Sequence, residues 1–239
     1  MKHFLGGLMV MLLFGGATPQ TDTNDPLMPS QNRIIYVGDP MCSWCWGISA
    51  ELGKFAHKHQ EDYPLLVIAG GLRPGTTDPM DEELTNFLQH HWAEVHERTG
   101  QPFTYDLLKD HTFVYDTEVP CRAVVTVREL APEKTFAFFK QVQECFYVKN
   151  QNTNQIETYL EICKALAIDP QTFQHKFEGS AMRQRTQADF ELTSRLGVRG
   201  FPAVLLQTGE QVQMLANGYA TEAQLEQAMV RALKQVKSK

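Results

Sequence analysis

This sequence of 239 residues lacks a cluster of basic residues and lacks a long hydrophobic run. The formal net charge is −6, and because nucleic acids and anionic membrane surfaces attract basic patches, neither is an expected partner. The apolar stretch from Phe4 to Phe14 is shorter than the ~20 residues that a membrane-spanning helix needs. We therefore expect no stable membrane insertion.

The sequence also lacks the second ligand pair of a structural zinc site. Such a site takes four ligands, commonly two Cys-x-x-Cys pairs, and this chain has a single pair, Cys42 and Cys45. Cys121, Cys145 and Cys163 lie singly in separate predicted helices and are most simply small apolar core residues. Cys121, at a helix start, could alternatively be an additional reactive thiol. No metal and no other cofactor is expected.

The N-terminus is typical of a secretory signal peptide. It has a basic start, an apolar stretch and a small-residue exit that ends at Ala17. We therefore predict a signal peptide over residues 1–17, a flexible leader over residues 18–32, and a periplasmic or secreted location. The alternative is translation from Met28, which would leave the protein in the cytoplasm.

After the leader, the pattern begins as strand, helix and strand. The runs "RIIYVGD" and "PLLVIAGG" are short, apolar and bounded by turn residues, as buried strands are. Between them, apolar residues recur at helical spacing from Cys42 to about His57. This order predicts a βαβ unit, with the Cys-x-x-Cys pair on its strand-to-helix turn.

A long helical stretch then interrupts the predicted sheet. From Asp78 to Leu196 the patterns are helical only, and the first helix is predicted to begin with an Asp78-Pro79 cap and to end at Gly100. The strand patterns "AVLLQT" and "QVQMLA" follow, and an amphipathic helix from Thr221 closes the chain. Neither half has enough strands to bury a sheet face alone, so the halves must form one domain. The predicted fold is α/β, with a first half over residues 33–77, an all-helical insertion over 78–197 and a second half over 198–239.

The Cys-x-x-Cys pair is best explained as a redox pair. A purely structural disulfide would close too short a loop to stabilise the fold much. Cys42 at a helix N-terminus faces unpaired N–H groups and the positive end of the helix dipole, which favour a thiolate nucleophile. Cys45, one turn on, lies on the same face and can act as the resolving thiol. Asp39 could relay a proton from Cys45 or could simply form the turn.

The segment "GVRGFPAVLL" supplies a second candidate part of the site. Pro202 comes directly before a predicted strand, where a proline does not break the hydrogen-bond ladder. It is either an ordinary loop proline or the second residue of a cis Phe201-Pro202 bond that presents the backbone of Phe201 to an extended peptide. Ser43 and Trp44, between the cysteines, are further candidates for contact with substrate, with Trp44 as an apolar rim.

"DPMCSWCWG", the helical insertion and "GVRGFPAVLL" together resemble the DsbA family of thiol-disulfide oxidoreductases, and within it the branch of FrnE-like, predicted protein-disulfide isomerases. The resemblance runs from about Arg33 to the C-terminus. It implies a thioredoxin fold with an inserted helical domain, Cys42 and Cys45 as the redox pair, and Pro202 as the cis-proline. Ser43-Trp44 departs from the proline and histidine of DsbA itself, so the redox potential does not carry over.

The predicted function is thiol-disulfide exchange on the cysteines of other proteins, as an oxidase, reductase or isomerase. The expected partners are cysteine-containing protein substrates and an unidentified redox partner, and we expect a monomer. Two alternatives stay open. One is a cytosolic glutathione- or small-molecule-linked isomerase or oxidoreductase on the same fold, and the other is a non-catalytic binding module.

Overall fold

The computed structural model describes residues 31–237. The predicted signal peptide, and all but the last two residues of the predicted leader, lie outside the described residues. Within the described range, no helix combines the length and the apolar character that crossing a lipid bilayer requires.

Four strands form one mixed sheet. They are β1 (Arg33–Gly38), β2 (Leu65–Ala69), β3 (Ala203–Thr208) and β4 (Gln211–Asn217), in the order β2-β1-β3-β4. β1 pairs in parallel with β2 and antiparallel with β3, and β3 pairs antiparallel with β4. The sheet therefore joins strands from before and after the long helical stretch, and the predicted α/β class is confirmed.

Eight helices surround this sheet in the described chain. α1 connects β1 to β2, six helices lie between β2 and β3, and α8 follows β4. Short 3-10 turns at Leu107–Lys109 and Pro132–Lys134 add to them. The bounds are α1 Ser43–His59, α2 Glu82–Thr99, α3 Glu118–Leu130, α4 Thr135–Tyr147, α5 Ile156–Ala165, α6 Pro170–Glu178, α7 Ser180–Arg195 and α8 Glu222–Lys237.

Alternation along β1 divides the core into two layers. Side chains of successive strand residues point to opposite faces, and Ile34 and Tyr36 join the apolar cluster of α1, α4 and α8, whereas Ile35 and Val37 join the cluster of α7. β1 is buried on both faces because helices cover both. β1 is therefore a central strand, with apolar residues packed on each of its sides.

The free edge of β2 is covered by a buried ion pair. Arg128 of α3 donates to the main-chain oxygen of Val67 at 2.8 Å, and its other contacts run to both carboxylate oxygens of Asp189 in α7, at 2.6 and 2.8 Å. Asp189 also accepts from the N–H of Ala69 at 2.8 Å. The pair therefore ties α3 and α7 to an edge strand that would otherwise expose unpaired backbone groups.

The predicted start of α2 was wrong. The helix is capped by Asp81, whose carboxylate accepts from the N–H of Leu84 at 2.8 Å. Pro79 instead forms an antiparallel bridge with Val114, a long-range contact that a local cap pattern cannot reveal. Phe87, on α2, is 55% exposed.

Candidate active site

Cys42 lies at the N-terminus of α1, on the turn that follows β1. It is the N-cap residue, with an extended backbone (φ −88°, ψ 117°), and its carbonyl accepts the first helical hydrogen bond from Trp46 at 3.1 Å. The turn is closed by the N–H of Cys42, which donates to the main-chain oxygen of Asp39 at 3.0 Å. The first turn of α1 holds no acidic residue. The N–H groups of this first helical turn therefore provide a positive potential that no acidic residue of the same helical turn opposes.

The two sulfur atoms differ in access to solvent. Cys42 is 6% exposed and Cys45 is fully buried, and both are free thiols. Burial raises the pKa of Cys45 well above its ordinary value, and the adjacent Cys42 raises that pKa further. A partner molecule can therefore reach Cys42 first, while Cys45 faces inward.

The Phe201-Pro202 loop contacts Cys42 from the other half of the sheet. The peptide bond is cis, and the sulfur of Cys42 lies 3.6 Å from the main-chain oxygen of Phe201. Pro202 is buried, and its carbonyl accepts from the N–H of Gly218 at 2.7 Å. The candidate residues of "DPMCSWCWG" and "GVRGFPAVLL", far apart in sequence, thus meet at one point.

The tryptophans beside the cysteines have different surroundings. Trp46 is 7% exposed and its indole N–H donates to the main-chain oxygen of Pro102 at 3.0 Å, so it packs in the core. Trp44 is half-buried and its ring lies 6.3 Å from that of Tyr219. Ser43 is 8% exposed, which leaves Trp44 as the more accessible of the two residues between the cysteines.

Asp39 stabilises the turn between β1 and α1 through hydrogen bonds to its carboxylate. Its buried carboxylate accepts from the N–H of Met41 at 2.8 Å and from the N–H of Leu72 at 2.7 Å. The thiol of Cys121 also donates to it, at 3.4 Å. Burial raises the pKa of Asp39, and the two backbone N–H groups partly oppose that rise. Its contacts are those of a residue that shapes the turn and joins it to the loop after β2.

Sequence reasoning missed two tyrosines around the turn. The hydroxyl of Tyr115 donates to the main-chain oxygen of Met41, and Tyr36 of β1 lies in the same apolar cluster as Cys42 and Cys45. A signal for Tyr36 was available, because alternation along β1 places it on the α1 side of the sheet. Tyr115 lies in a loop of the insertion, where no periodicity points to the turn. No group of metal-binding side chains was found among the described residues.

Comparison with known proteins gives a consistent result over most of the chain. A family model described as Thioredoxin matches residues 35–227. The solved structure of a "putative protein disulfide isomerase" from Nitrosomonas europaea is 33% identical, with a TM-score of 0.81 over 86% of this chain and 99% of that one. The cytosolic disulfide reductase DsbM from Pseudomonas aeruginosa is 25% identical, with a TM-score of 0.71 over 87% of this chain and 100% of that one.

A curated relative is more distant. The ClpXP adapter protein SpxH from Bacillus subtilis is 19% identical over 178 residues, which are 74% of this chain. This chain spans 58% of the length of that relative. DsbM has also been solved with GSH, and that structure matches this chain with a TM-score of 0.70.

Proposed function

Because this chain belongs to the thioredoxin family, among the DsbA-like oxidoreductases, we propose that it exchanges thiols and disulfides through Cys42 and Cys45. The family indicates that the protein is an enzyme of the thiol-disulfide oxidoreductase class. The assignment of the two sulfur atoms, and of cysteine-containing proteins as substrates, is our proposal.

One observation carries this proposal. A slightly exposed sulfur at a helix N-terminus lies 3.6 Å from the carbonyl before a cis proline, and a second, buried sulfur follows one turn later. The first position suits attack on an incoming disulfide, because the helix N-terminus stabilises negative charge on sulfur. The second position suits intramolecular release.

The reaction proceeds in two exchanges. The Cys42 thiolate attacks a substrate disulfide, a bond forms between Cys42 and one substrate sulfur, and the other substrate sulfur leaves as a thiolate that takes up a proton. Cys45, after losing its proton, attacks the sulfur of Cys42 and releases the second substrate thiolate. Two electrons pass from the cysteine pair to the substrate, and the same steps in reverse oxidise a dithiol.

An extended peptide is the substrate form that the surroundings favour. The backbone of Phe201 runs beside Cys42, so a substrate strand could pair with it as an added strand does. Trp44, tilted against Tyr219, offers an apolar surface beside the same sulfur. Neither contact requires a particular sequence, which fits a broad set of cysteine-containing proteins.

The test compares two serine variants in reduction of insulin. We expect Cys42→Ser to abolish the activity, and Cys45→Ser to form mixed disulfides that stay bound to Cys42. Cys163→Ser, in the buried core, is the matched control and should keep the activity. Equal rates for wild type and Cys42→Ser would instead favour a non-catalytic binding module, a role for which the adapter SpxH is a distant precedent.

A glutathione-linked reductase is the second candidate, because DsbM, 25% identical, is a disulfide reductase solved with GSH. Rates with oxidised glutathione and with an oxidised unfolded protein separate the two. The small disulfide would react faster if glutathione is the substrate, and the protein would react faster if the Phe201 backbone binds a peptide.

The compartment follows from the first residue of the native protein. We propose export, on the basis of the signal-like pattern in residues 1–17, and N-terminal sequencing should then give Thr18 as the first residue. A native protein that begins at Met28 would instead lie in the cytoplasm, as the cytosolic reductase DsbM does.

A further inference from the structure

Tyr36 presents a buried hydroxyl beside the two sulfur atoms. The side chain is 1% exposed, and its ring makes edge contacts with Phe136 and Phe139, with centroids 6.1 and 5.4 Å away. Among the described residues its hydroxyl has no hydrogen-bond partner while Cys42 and Cys45 are free thiols. A buried hydroxyl without a partner is costly, so a group that accepts from it at some stage of function is expected.

Cys45 lies in the same buried apolar cluster as Tyr36 and interacts electrostatically with its hydroxyl. Burial raises the pKa of Tyr36 well above its ordinary value. Cys45 raises this pKa further, and Cys42 and Asp39 raise it to a smaller extent. In the other direction, the Tyr36 hydroxyl and the main-chain N–H of Asp39 act to lower the pKa of Cys45. Two donors therefore converge on the resolving sulfur.

Gly38 makes this position of the phenol possible. Residues two apart on a strand share a face, and the Tyr36 side chain extends along β1 over Gly38. A Cβ atom at residue 38 would lie 2.5 Å from both the Cζ and the hydroxyl oxygen of Tyr36. A larger residue at position 38 would therefore displace the hydroxyl from Cys45.

Cys45 needs such a donor because of its burial. Removing a thiolate from water destabilises it unless protein donors replace the lost hydrogen bonds, and Cys45 is fully buried. Yet it must become a thiolate to attack the mixed disulfide. The helix dipole that assists Cys42 weakens within the first turn, at whose end Cys45 lies.

We propose that the Tyr36 hydroxyl donates a hydrogen bond to the Cys45 thiolate and so accelerates resolution of the mixed disulfide on Cys42. Cys45 releases its proton to solvent, its sulfur forms a bond to the sulfur of Cys42, and the bond between Cys42 and the substrate breaks. The electron pair leaves with the substrate sulfur, which takes up a proton from solvent. Tyr36 keeps its own proton throughout. This inference rests on the proposed roles of Cys42 and Cys45.

The two exchanges can be followed separately with Ellman's reagent and the reduced full chain in stopped flow. Attack by Cys42 releases the first thionitrobenzoate in a phase whose rate depends on reagent concentration. Attack by Cys45 releases the second in a first-order phase. Cys45→Ser should show the first phase only, which assigns the second to Cys45.

We expect Tyr36→Phe to slow the second phase about tenfold at neutral pH, the effect of losing a hydrogen bond to a charged group. Its first phase should stay within about twofold of the wild type. The pH at which the second phase is half-maximal should rise by about one unit, since tenfold corresponds to one pH unit. The phenyl ring preserves the contacts with Phe136 and Phe139.

Two further variants test whether the position of the Tyr36 hydroxyl matters. Tyr159→Phe removes a buried hydroxyl that bonds to the main-chain oxygen of Thr153 instead, and should leave the second phase unchanged. Gly38→Ala retains the hydroxyl but displaces it, and should slow the second phase as Tyr36→Phe does.

The outcomes separate the inference from the proposed function. Equal second-phase rates and pH midpoints for Tyr36→Phe and wild type would overturn the role of Tyr36 alone. A wild type that shows no second phase would overturn the resolving role of Cys45 and the proposed function with it.

Discussion

Gly70 bears on the site through the ring of Phe201. A Cβ atom at residue 70 would lie 2.3 Å from Cε1 of Phe201 and 2.5 Å from Cζ, closer than packed atoms approach. The N–H of Gly70 donates to the carbonyl of Gly38 at 2.8 Å, so the backbone there is held by the end of β1. The aromatic ring, rather than the strand end, would have to move.

We therefore predict that Gly70→Ala lowers insulin reduction about tenfold or more. Moving the Phe201 ring shifts the carbonyl that lies beside the Cys42 sulfur, and displacements of about 1 Å can cost ~100-fold in rate. Gly200→Ala is the control in the same loop, because no atom of the described chain lies within 4 Å of its added Cβ. Equal activity of both variants would show that the position of the ring does not matter.

Individual residues also show where sequence reasoning reaches its limit. Cys42, Cys45 and Pro202 belong to local motifs, so their neighbours in sequence make them candidates. Tyr36 and Tyr115 approach the turn from a strand face and from a distant loop. Alternation along β1 gives the face of Tyr36, but nothing in the sequence places Tyr115 at the turn. A site built from long-range contacts is visible in sequence only where a motif forms part of it.

At the scale of elements, α3, α7 and β2 are joined through Arg128 and Asp189. The side chain of Asp189 is 1% exposed and that of Arg128 is 10% exposed. Losing one member of such a pair leaves the other buried and unpaired. The same carboxylate also accepts a hydrogen bond from the N–H of Ala69. Ala69 is followed directly by Gly70 and Gly71.

Asp189→Ala should lower the free energy of unfolding by about 3–5 kcal/mol, as loss of one partner of a buried pair does. Urea unfolding followed by circular dichroism measures this. Lys164→Ala, which removes an exposed ion pair with Glu161 on α5, is the control and should have no measurable effect. A loss as small as that of the control would mean that water solvates Arg128 in the variant.

The elements themselves were largely predictable, and their starts were less so. Sequence patterns identified α1 and both late strands within a few residues, because helical spacing or short apolar runs bounded by turn residues mark each of them. The start of α2 depended on a bridge between Pro79 and Val114, which lie on opposite sides of the whole helix in sequence. The 55% exposure of Phe87 on α2 likewise depends on which elements pack nearby, and its sequence neighbours do not specify that.

At the scale of the whole molecule, the helical segment between β2 and β3 packs against the turn between β1 and α1. Met41 and Trp46 from the turn and α1 share an apolar cluster with Trp92, Tyr115 and Tyr147 from the inserted segment. The rings of Trp46 and Tyr147 are stacked, with centroids 6.2 Å apart. The active-site turn is thus packed against the insertion rather than against the sheet alone.

This shared cluster predicts cooperative unfolding. Trp46 reports on α1 and Trp92 on α2, so tryptophan fluorescence and far-ultraviolet circular dichroism should give coincident transitions in urea. An insertion that melted separately would produce two transitions, with the fluorescence change split between them. The control is a Trp44→Phe variant, because Trp44 lies outside this cluster.

Tyr115 fastens the turn through the main-chain oxygen of Met41, an atom that gains and loses no electrons in the reaction. Because neither atom of this hydrogen bond takes part in thiol-disulfide exchange, we expect it to persist in the dithiol, disulfide and mixed-disulfide forms. The main chain at Met41 would then keep one conformation through the whole catalytic cycle.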